Sequence, residues 1–187
     1  MGTFSLAAVL CCTVARGAVV PEMREVSGVN LPAVVSIAGR ELQLNGMGIR
    51  KEKVFFRVYV VGLYLEEPTR DPRVAITTDE AKRIVVVMMR NVGRDAFAKA
   101  VEAAIERNSG RVMPTLRERL DRLKRALPDL KKGDVLDFTY LPGIGTLVRG
   151  QGEEMAIPGK DFAEALSSAW LGPNPVDRGL KLKLLGQ

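Results

Sequence analysis

The sequence predicts a single α+β domain in which strands and helices occupy separate stretches of the chain. Strand-like segments fill the first half, helical periodicity dominates residues 94–127, and a further run of strands precedes the last helices. Parallel βαβ folds alternate strand and helix instead, so this order favours a large antiparallel sheet backed by helices. A length of 187 residues is that of one domain.

The first predicted elements are a hairpin and a long central strand. Residues 33–37 and 41–44 flank a turn that contains a glycine. Residues 45–48 are rich in glycine and predict a break. The segment 54–65 follows, with apolar residues at odd and even positions alike, which is typical of a strand covered on both faces. Arg57 is the charged residue inside it.

A second strand and two helices are predicted next. Residues 84–89 form a continuous apolar segment. In residues 94–108 the apolar side chains recur at helical intervals instead. Residues 114–127 repeat this pattern with leucines, with a proline in the first turn and another directly after the last residue, as expected at helix ends.

The last third of the chain predicts a meander followed by helices. Strands at residues 134–140, 146–149 and 155–157 are separated by turns that contain glycine. Residues 161–171 then place aromatic and leucine side chains four residues apart on one helical face, and a short closing helix is predicted over residues 177–185.

The composition excludes several kinds of site. The chain has no histidine, which rules out Ser-His-Asp triads, Cys-His dyads and histidine-ligated metals. Its two cysteines are adjacent, at Cys11 and Cys12, so a four-cysteine zinc site and a disulfide framework are excluded too. We therefore predict neither a metal nor another cofactor.

The charge pattern argues against a nucleic-acid partner. The 28 basic and 22 acidic residues give a net charge of +6, but the two signs interleave without a tract of like charge. Aromatic residues make up only 5%, too few for base stacking. No apolar segment approaches the length of about 18 residues that a membrane span needs.

The N-terminus predicts a secretory signal peptide over residues 1–17. Residues 6–14 form a short apolar run, and small residues at Ala15 and Gly17 suit a signal peptidase. The mature domain would then comprise residues 18–187, contain no cysteine, and be periplasmic or secreted. The alternatives are a buried N-terminal segment and a misassigned start codon.

Five short motifs, in order, resemble the chalcone isomerase family. Gly-Met-Gly-Ile-Arg at 46–50 precedes a long strand that ends in Gly-Leu-Tyr-Leu-Glu at 62–66. Lys-Gly-Asp at 132–134 and Ile-Pro-Gly-Lys-Asp-Phe at 157–162 follow. Trp-Leu-Gly-Pro-Asn-Pro-Val at 170–176 is the fifth, and the whole stretch 157–176 is similar to the bacterial, secreted branch in particular.

This resemblance covers about residues 26–186 and implies an open-faced β-sandwich, one large antiparallel sheet backed by helices. It also implies a cleft between sheet and helices, which takes flavonoids in the plant enzymes and fatty acids in the plastid binding proteins. Arg50 matches the arginine that steers and stabilises the phenolate during ring closure in those enzymes. The other catalytic positions of the family correspond here to Tyr59, Ala96 or Phe97, Ala103 or Ala104, and Ala169.

Because those positions have lost most of their polar groups, we predict a binding protein rather than an enzyme. Arg50, Arg57 and Tyr59 would bind a small apolar acid resembling a fatty acid, since Arg57 and Tyr59 are two residues apart on one strand face. The partner of Arg57 could equally be an internal carboxylate.

Two alternatives of other classes stay open. One is an intramolecular lyase or isomerase with a non-flavonoid substrate, in which Arg50 would be the catalytic residue. The other is a structural or interaction protein without ligand, whose cleft is filled by Tyr59, Phe97 and Trp170.

Overall fold

The structure is a computed structural model that describes residues 22–52, 56–151 and 154–187. The predicted signal peptide, with Cys11 and Cys12, lies outside these residues. Within the described ranges, no helix is long and apolar enough to cross a membrane.

Strands and helices follow one another in much the predicted order. The strands are β1 (Met23–Val26), β2 (Val29–Pro32), β3 (Val34–Ile37), β4 (Arg40–Glu52), β5 (Phe56–Leu65), β6 (Lys82–Met88), β7 (Val135–Leu141), β8 (Gly145–Arg149) and β9 (Met155–Ile157). The helices are α1 (Pro72–Thr77), α2 (Arg94–Ser109), α3 (Met113–Ala126), α4 (Lys160–Leu171) and α5 (Arg178–Leu184).

Strands β3 to β9 form one seven-stranded sheet in which each strand pairs with its neighbour in the sequence. Every pairing in it is antiparallel. Strands β1 and β2 form a separate hairpin. The predicted α+β class and the large antiparallel sheet backed by helices are confirmed.

Strand β5 is buried on both faces from Tyr59 to Leu65, as its two-sided apolar pattern predicts. Tyr59 and Leu63 belong to the main core, which includes residues of helices α2, α3 and α4. Val60 and Tyr64 face the opposite side, where the β1–β2 hairpin contributes Leu31 to a second apolar cluster. The Tyr64 hydroxyl also donates to the Pro32 carbonyl (2.8 Å), which ties the hairpin to the sheet.

The glycine-rich segment 45–48 is not a break, as its composition predicts, but part of strand β4. Asn45 is an extra residue in the pairing with β5, a β-bulge that the strand passes through. Gly46 and Gly48 lie directly beneath helix α5. A Cβ atom on Gly46 would stand 2.2 Å from the Lys183 carbonyl oxygen. These glycines therefore allow helix α5 to pack closely against the strand.

The β1–β2 hairpin and helix α1 were not predicted from the sequence. Each strand of the hairpin has only four residues, and α1 has six, so neither shows a full period of apolar side chains. Helix α1 nevertheless has a recognisable start. The Asp71 carboxylate accepts the backbone N–H of Arg73 (2.7 Å), and Pro72 follows directly.

A buried lysine closes the C-terminal end of α1. Lys82 is 5% exposed, and its ammonium donates to the carbonyls of Ala75 (2.9 Å) and Ile76 (2.7 Å). Burial lowers the pKa of Lys82 from 10.5 to about 8, with a further lowering by Lys160. Burial also raises the pKa of each of the three tyrosines, Tyr59, Tyr64 and Tyr140, to about 12.

We expect these groups to give the free energy of unfolding a maximum near pH 10. Between pH 8 and 10.5 the unfolded chain keeps the Lys82 proton that the folded chain has lost, so stability rises with pH. Above pH 10 the folded chain keeps tyrosine protons that the unfolded chain loses, so stability falls. Urea unfolding at several pH values should show a rise of about 2 kcal/mol before the fall.

Lys82→Met is the control for that profile. Without a titratable group at this position, the rise between pH 8 and 10 should disappear while the fall above pH 10 remains. A wild-type profile that is flat or falling from pH 8 to 10 would contradict the assignment.

Candidate functional site

A cleft of about 360 Å³ opens between helix α2 and the sheet. Its floor comes from strands β4 and β5, its mouth from the segment between β6 and α2, and one wall from α2 itself. The residues that line it are Arg50, Glu52, Val58, Tyr59, Arg90, Asn91, Val92, Gly93, Ala96, Phe97, Ala100, Val101 and Val176.

The segment before α2 is fixed to the sheet side of the protein. Val92 exchanges two backbone hydrogen bonds with Leu130 (2.8 and 3.0 Å). The backbone N–H of Arg94, the first residue of α2, donates to the Asp129 carboxylate (2.9 Å). The start of the helix, and with it the cleft wall, is therefore held at a set position over β5.

The wall that α2 contributes is apolar. Ala96 and Ala100 are small and leave room above the sheet, whereas Phe97 and Val101 are buried beneath them. The Phe97 ring meets Tyr59 edge to face, with ring centroids 6.0 Å apart. Ala96 and Phe97 are the two positions that the resemblance matches to the tyrosine of the enzymes. Both line the cleft, and neither has a hydroxyl.

Arg50 provides a cation in this apolar setting. It lies near the end of β4, half-buried, and its Nη1 donates to the Val176 carbonyl. Val176 is itself held by its N–H, which donates to the Ala169 carbonyl at the end of α4 (2.8 Å). Within the described ranges, no carboxylate lies within the 4.0 Å of an ion pair with Arg50. Its other N–H groups remain available to a ligand.

Tyr59 stands opposite Arg50 in the pairing of β4 with β5. It is 5% exposed, and burial raises its pKa to about 12 against the opposing effect of the Arg50 cation. Its phenol is therefore a neutral hydrogen-bond donor at neutral pH. The hydroxyls of Tyr64 and Tyr140 donate to Pro32 and Asp79, but that of Tyr59 has no such partner in the part of the chain described.

Arg57 does not join Arg50 and Tyr59, and the prediction that it shares a face with Tyr59 is wrong. Tyr59 pairs with Arg50 and Arg57 pairs with Lys51, so Val58 is an extra residue of a β-bulge. The bulge breaks the two-residue alternation between positions 57 and 59. Arg57 is exposed, is absent from the cleft lining, and forms no ion pair among the described residues.

The polar residues at the mouth of the cleft, Arg90 and Asn91, were not predicted from the sequence. Arg90 lines the mouth and lies over the Phe56 ring, 5.8 Å from its centroid. Asn91 lines it too, and its side-chain oxygen accepts the backbone N–H of Lys132 (2.9 Å). Arg90 and Asn91 form a polar pair in the loop between a buried strand and a helix, shortly before Gly93. This sequence pattern could have indicated a binding loop at the mouth of the cleft.

The described residues contain no cluster of three or more acidic or sulfur ligands that could hold a metal ion. What the site offers is a set of donors at one end and an apolar surface at the other. Such an arrangement can bind an amphipathic anion, with the charged group at Arg50 and Tyr59 and the apolar part against α2.

The protein has an antiparallel sheet and a cleft that a helix covers, with an arginine at the polar end of the cleft. These features define a class of open-faced sandwich proteins. The chain belongs to the chalcone isomerase-like family, whose model matches residues 23–186. Arg50 and Tyr59 both lie within the matched range.

A solved structure shares this fold. The fatty-acid binding protein AtFAP1 of Arabidopsis thaliana superposes with a TM-score of 0.69, covering 88% of this chain and 96% of its own, at 16% sequence identity. At that identity the likeness concerns the fold. A comparison with curated proteins gave no match.

Proposed function

We propose that this protein binds a small, largely apolar carboxylic acid of the fatty-acid type in the cleft beneath α2. The observation that carries the proposal is the Arg50 guanidinium, which lines a cleft with an apolar α2 wall and forms no ion pair with a carboxylate among the described residues. A half-buried cation of this kind is stabilised by an anion. A carboxylate fits the planar guanidinium best, because it can accept two parallel hydrogen bonds.

The remainder of the cleft suits an alkyl chain. Val58, Val101 and Val176 line it together with the α2 wall. A volume of about 360 Å³ is within the range of small-molecule sites, which run from about 300 to 1,000 Å³. The fold likeness to a fatty-acid binding protein supports the same class of ligand.

The α2 wall favours binding over catalysis. An intramolecular lyase needs polar groups that hold the reacting ketone and hydroxyl opposite the arginine. In this wall Ala96, Phe97 and Ala100 face that space. The polar end is therefore suited to retaining an anion, and we propose binding as the function.

Arg50→Gln is expected to weaken binding of sodium dodecanoate about 10- to 100-fold, because hydrogen bonds to a charged group contribute about 1.5–3 kcal/mol. Isothermal titration calorimetry measures the affinity, and native mass spectrometry followed by lipid extraction identifies any acid that purifies with the protein. Arg57→Gln is the matched control, since it removes an arginine from the neighbouring strand outside the cleft.

The control should bind dodecanoate like the wild type. Equal affinities for the Arg50 and Arg57 variants would show that the charge of Arg50 does not hold the ligand. A wild-type protein that purifies empty and does not take up added dodecanoate would refute the proposed function altogether.

A further inference from the structure

Trp170 is the one tryptophan of the chain, and its indole N–H has no hydrogen-bond partner among the described residues. The side chain is fully buried near the end of α4, and within the described part of the chain Nε1 has no hydrogen-bond acceptor. Leaving a buried donor unpaired destabilises the folded state. Native proteins satisfy most such groups, so this N–H calls for a physical explanation.

The indole lies beside the polar end of the cleft. Trp170 and Tyr59 belong to the same buried core, and hydrogen bonding by the indole opposes the rise in the Tyr59 pKa that burial causes. The neighbouring residue, Ala169, accepts the N–H of Val176, and the carbonyl of Val176 accepts from Arg50. The end of α4 is thus connected to Arg50 through Val176, and the Phe138 ring packs against Trp170 with ring centroids 5.9 Å apart.

We propose that Trp170 positions the ligand-binding proton of Tyr59: in the occupied site its N–H donates to the Tyr59 oxygen, and the Tyr59 O–H donates to the ligand carboxylate. This inference rests on the proposed function. Trp170 is absent from the cleft lining, so it acts through Tyr59 as a positioning residue.

This pair of hydrogen bonds, from Trp170 to Tyr59 and from Tyr59 to the ligand, forms a relay that narrows the class of ligand. Once its oxygen accepts from Trp170, the Tyr59 hydroxyl offers the ligand a proton, and Arg50 can only donate. The charge of Asp177 also raises the Tyr59 pKa. The Asp177 carboxylate accepts the Leu180 N–H as the N-cap of α5 (2.9 Å). The polar end therefore selects a deprotonated carboxylate, with two acceptor oxygens, over an ester of the same chain length.

The single tryptophan allows a direct test, because a ¹H–¹⁵N NMR spectrum of this protein contains one indole N–H resonance. Titration with sodium dodecanoate should shift this resonance, whereas methyl dodecanoate should shift it much less. In Tyr59→Phe, which keeps the ring and removes the hydroxyl, dodecanoate should still bind through Arg50 but leave the indole resonance in place. Trp170→Phe should weaken dodecanoate binding about 3- to 10-fold, as expected for one hydrogen bond.

The outcomes separate this inference from the proposed function. If dodecanoate binds but the wild-type indole does not shift, the relay is wrong and the binding function stands. A shift that persists in Tyr59→Phe overturns the relay too, because Trp170 would then sense the ligand directly. Absence of dodecanoate binding overturns both. The wild-type titration and the Tyr59→Phe spectrum decide the matter even if Trp170→Phe does not fold.

Discussion

Replacing Gly46 by alanine is expected to lower the free energy of unfolding by about 3 kcal/mol or more, the upper end of overpacking effects. A Cβ atom at this position would lie 2.2 Å from the Lys183 carbonyl oxygen and 2.7 Å from that of Leu184. Both are backbone atoms of the α5 segment. No side-chain rotation can relieve the contact, so α5 must move away from β4. Urea or thermal unfolding of the purified variant measures the loss.

Gly48→Ala is the matched control on the same strand. Its Cβ would meet side-chain atoms, at 2.9 Å from Leu180 Cδ1 and 2.9 Å from Lys183 Cβ. The leucine side chain can rotate away, whereas the Lys183 Cβ moves only with α5, by much less than the 2.2 Å contact at Gly46 requires, so we expect a loss of about 1–2 kcal/mol. An equal loss for the two variants would contradict the view that the backbone of α5, rather than general crowding, makes glycine necessary at Gly46.

Ala100→Trp is expected to abolish detectable dodecanoate binding while leaving the fold intact. Ala100 is exposed on α2 and lines the cleft, so an indole there would occupy space that the alkyl chain needs. Because this side chain lies outside the buried core, the substitution should change the free energy of unfolding by only about 0.5 kcal/mol. Calorimetric titration and thermal unfolding of the same preparation measure both quantities.

Lys99→Trp introduces the same ring one residue away, at an exposed position that does not line the cleft. This control should bind dodecanoate normally. Undiminished binding by Ala100→Trp would place the ligand elsewhere. The other large cavity, about 720 Å³ between the β1–β2 hairpin and the opposite face of the sheet, would then be the site to test.

The parts of the fold that could be predicted from the sequence are those with a long, regular pattern. Strand β5 shows two-sided burial over seven consecutive residues from Tyr59 to Leu65, and helix α3 buries its leucines at helical intervals. The β1–β2 hairpin and α1 are too short for such a pattern, and their positions depend on tertiary contacts. Tyr64 and Leu31 hold the hairpin, and Lys82 closes α1.

The candidate site could be predicted only where family motifs and local pattern agree. Arg50 and Tyr59 do lie together, but counting along the strand placed Arg57 with them. The bulge at Val58 arises from how β5 pairs with β4, which no single strand's sequence reveals. The role of Gly46 was hidden for the same reason, since α5 follows it by more than a hundred residues.

The contact between Arg50 and Val176 spans 126 residues, and that between the Asn45 amide and the Leu184 carbonyl spans 139. During synthesis, strand β4 is complete long before either carbonyl exists. The polar end of the cleft can therefore be completed only after Val176 has been synthesised, when every strand of the sheet is already present in the chain. A nascent or interrupted chain can thus possess most of the core and still lack the ligand-binding geometry.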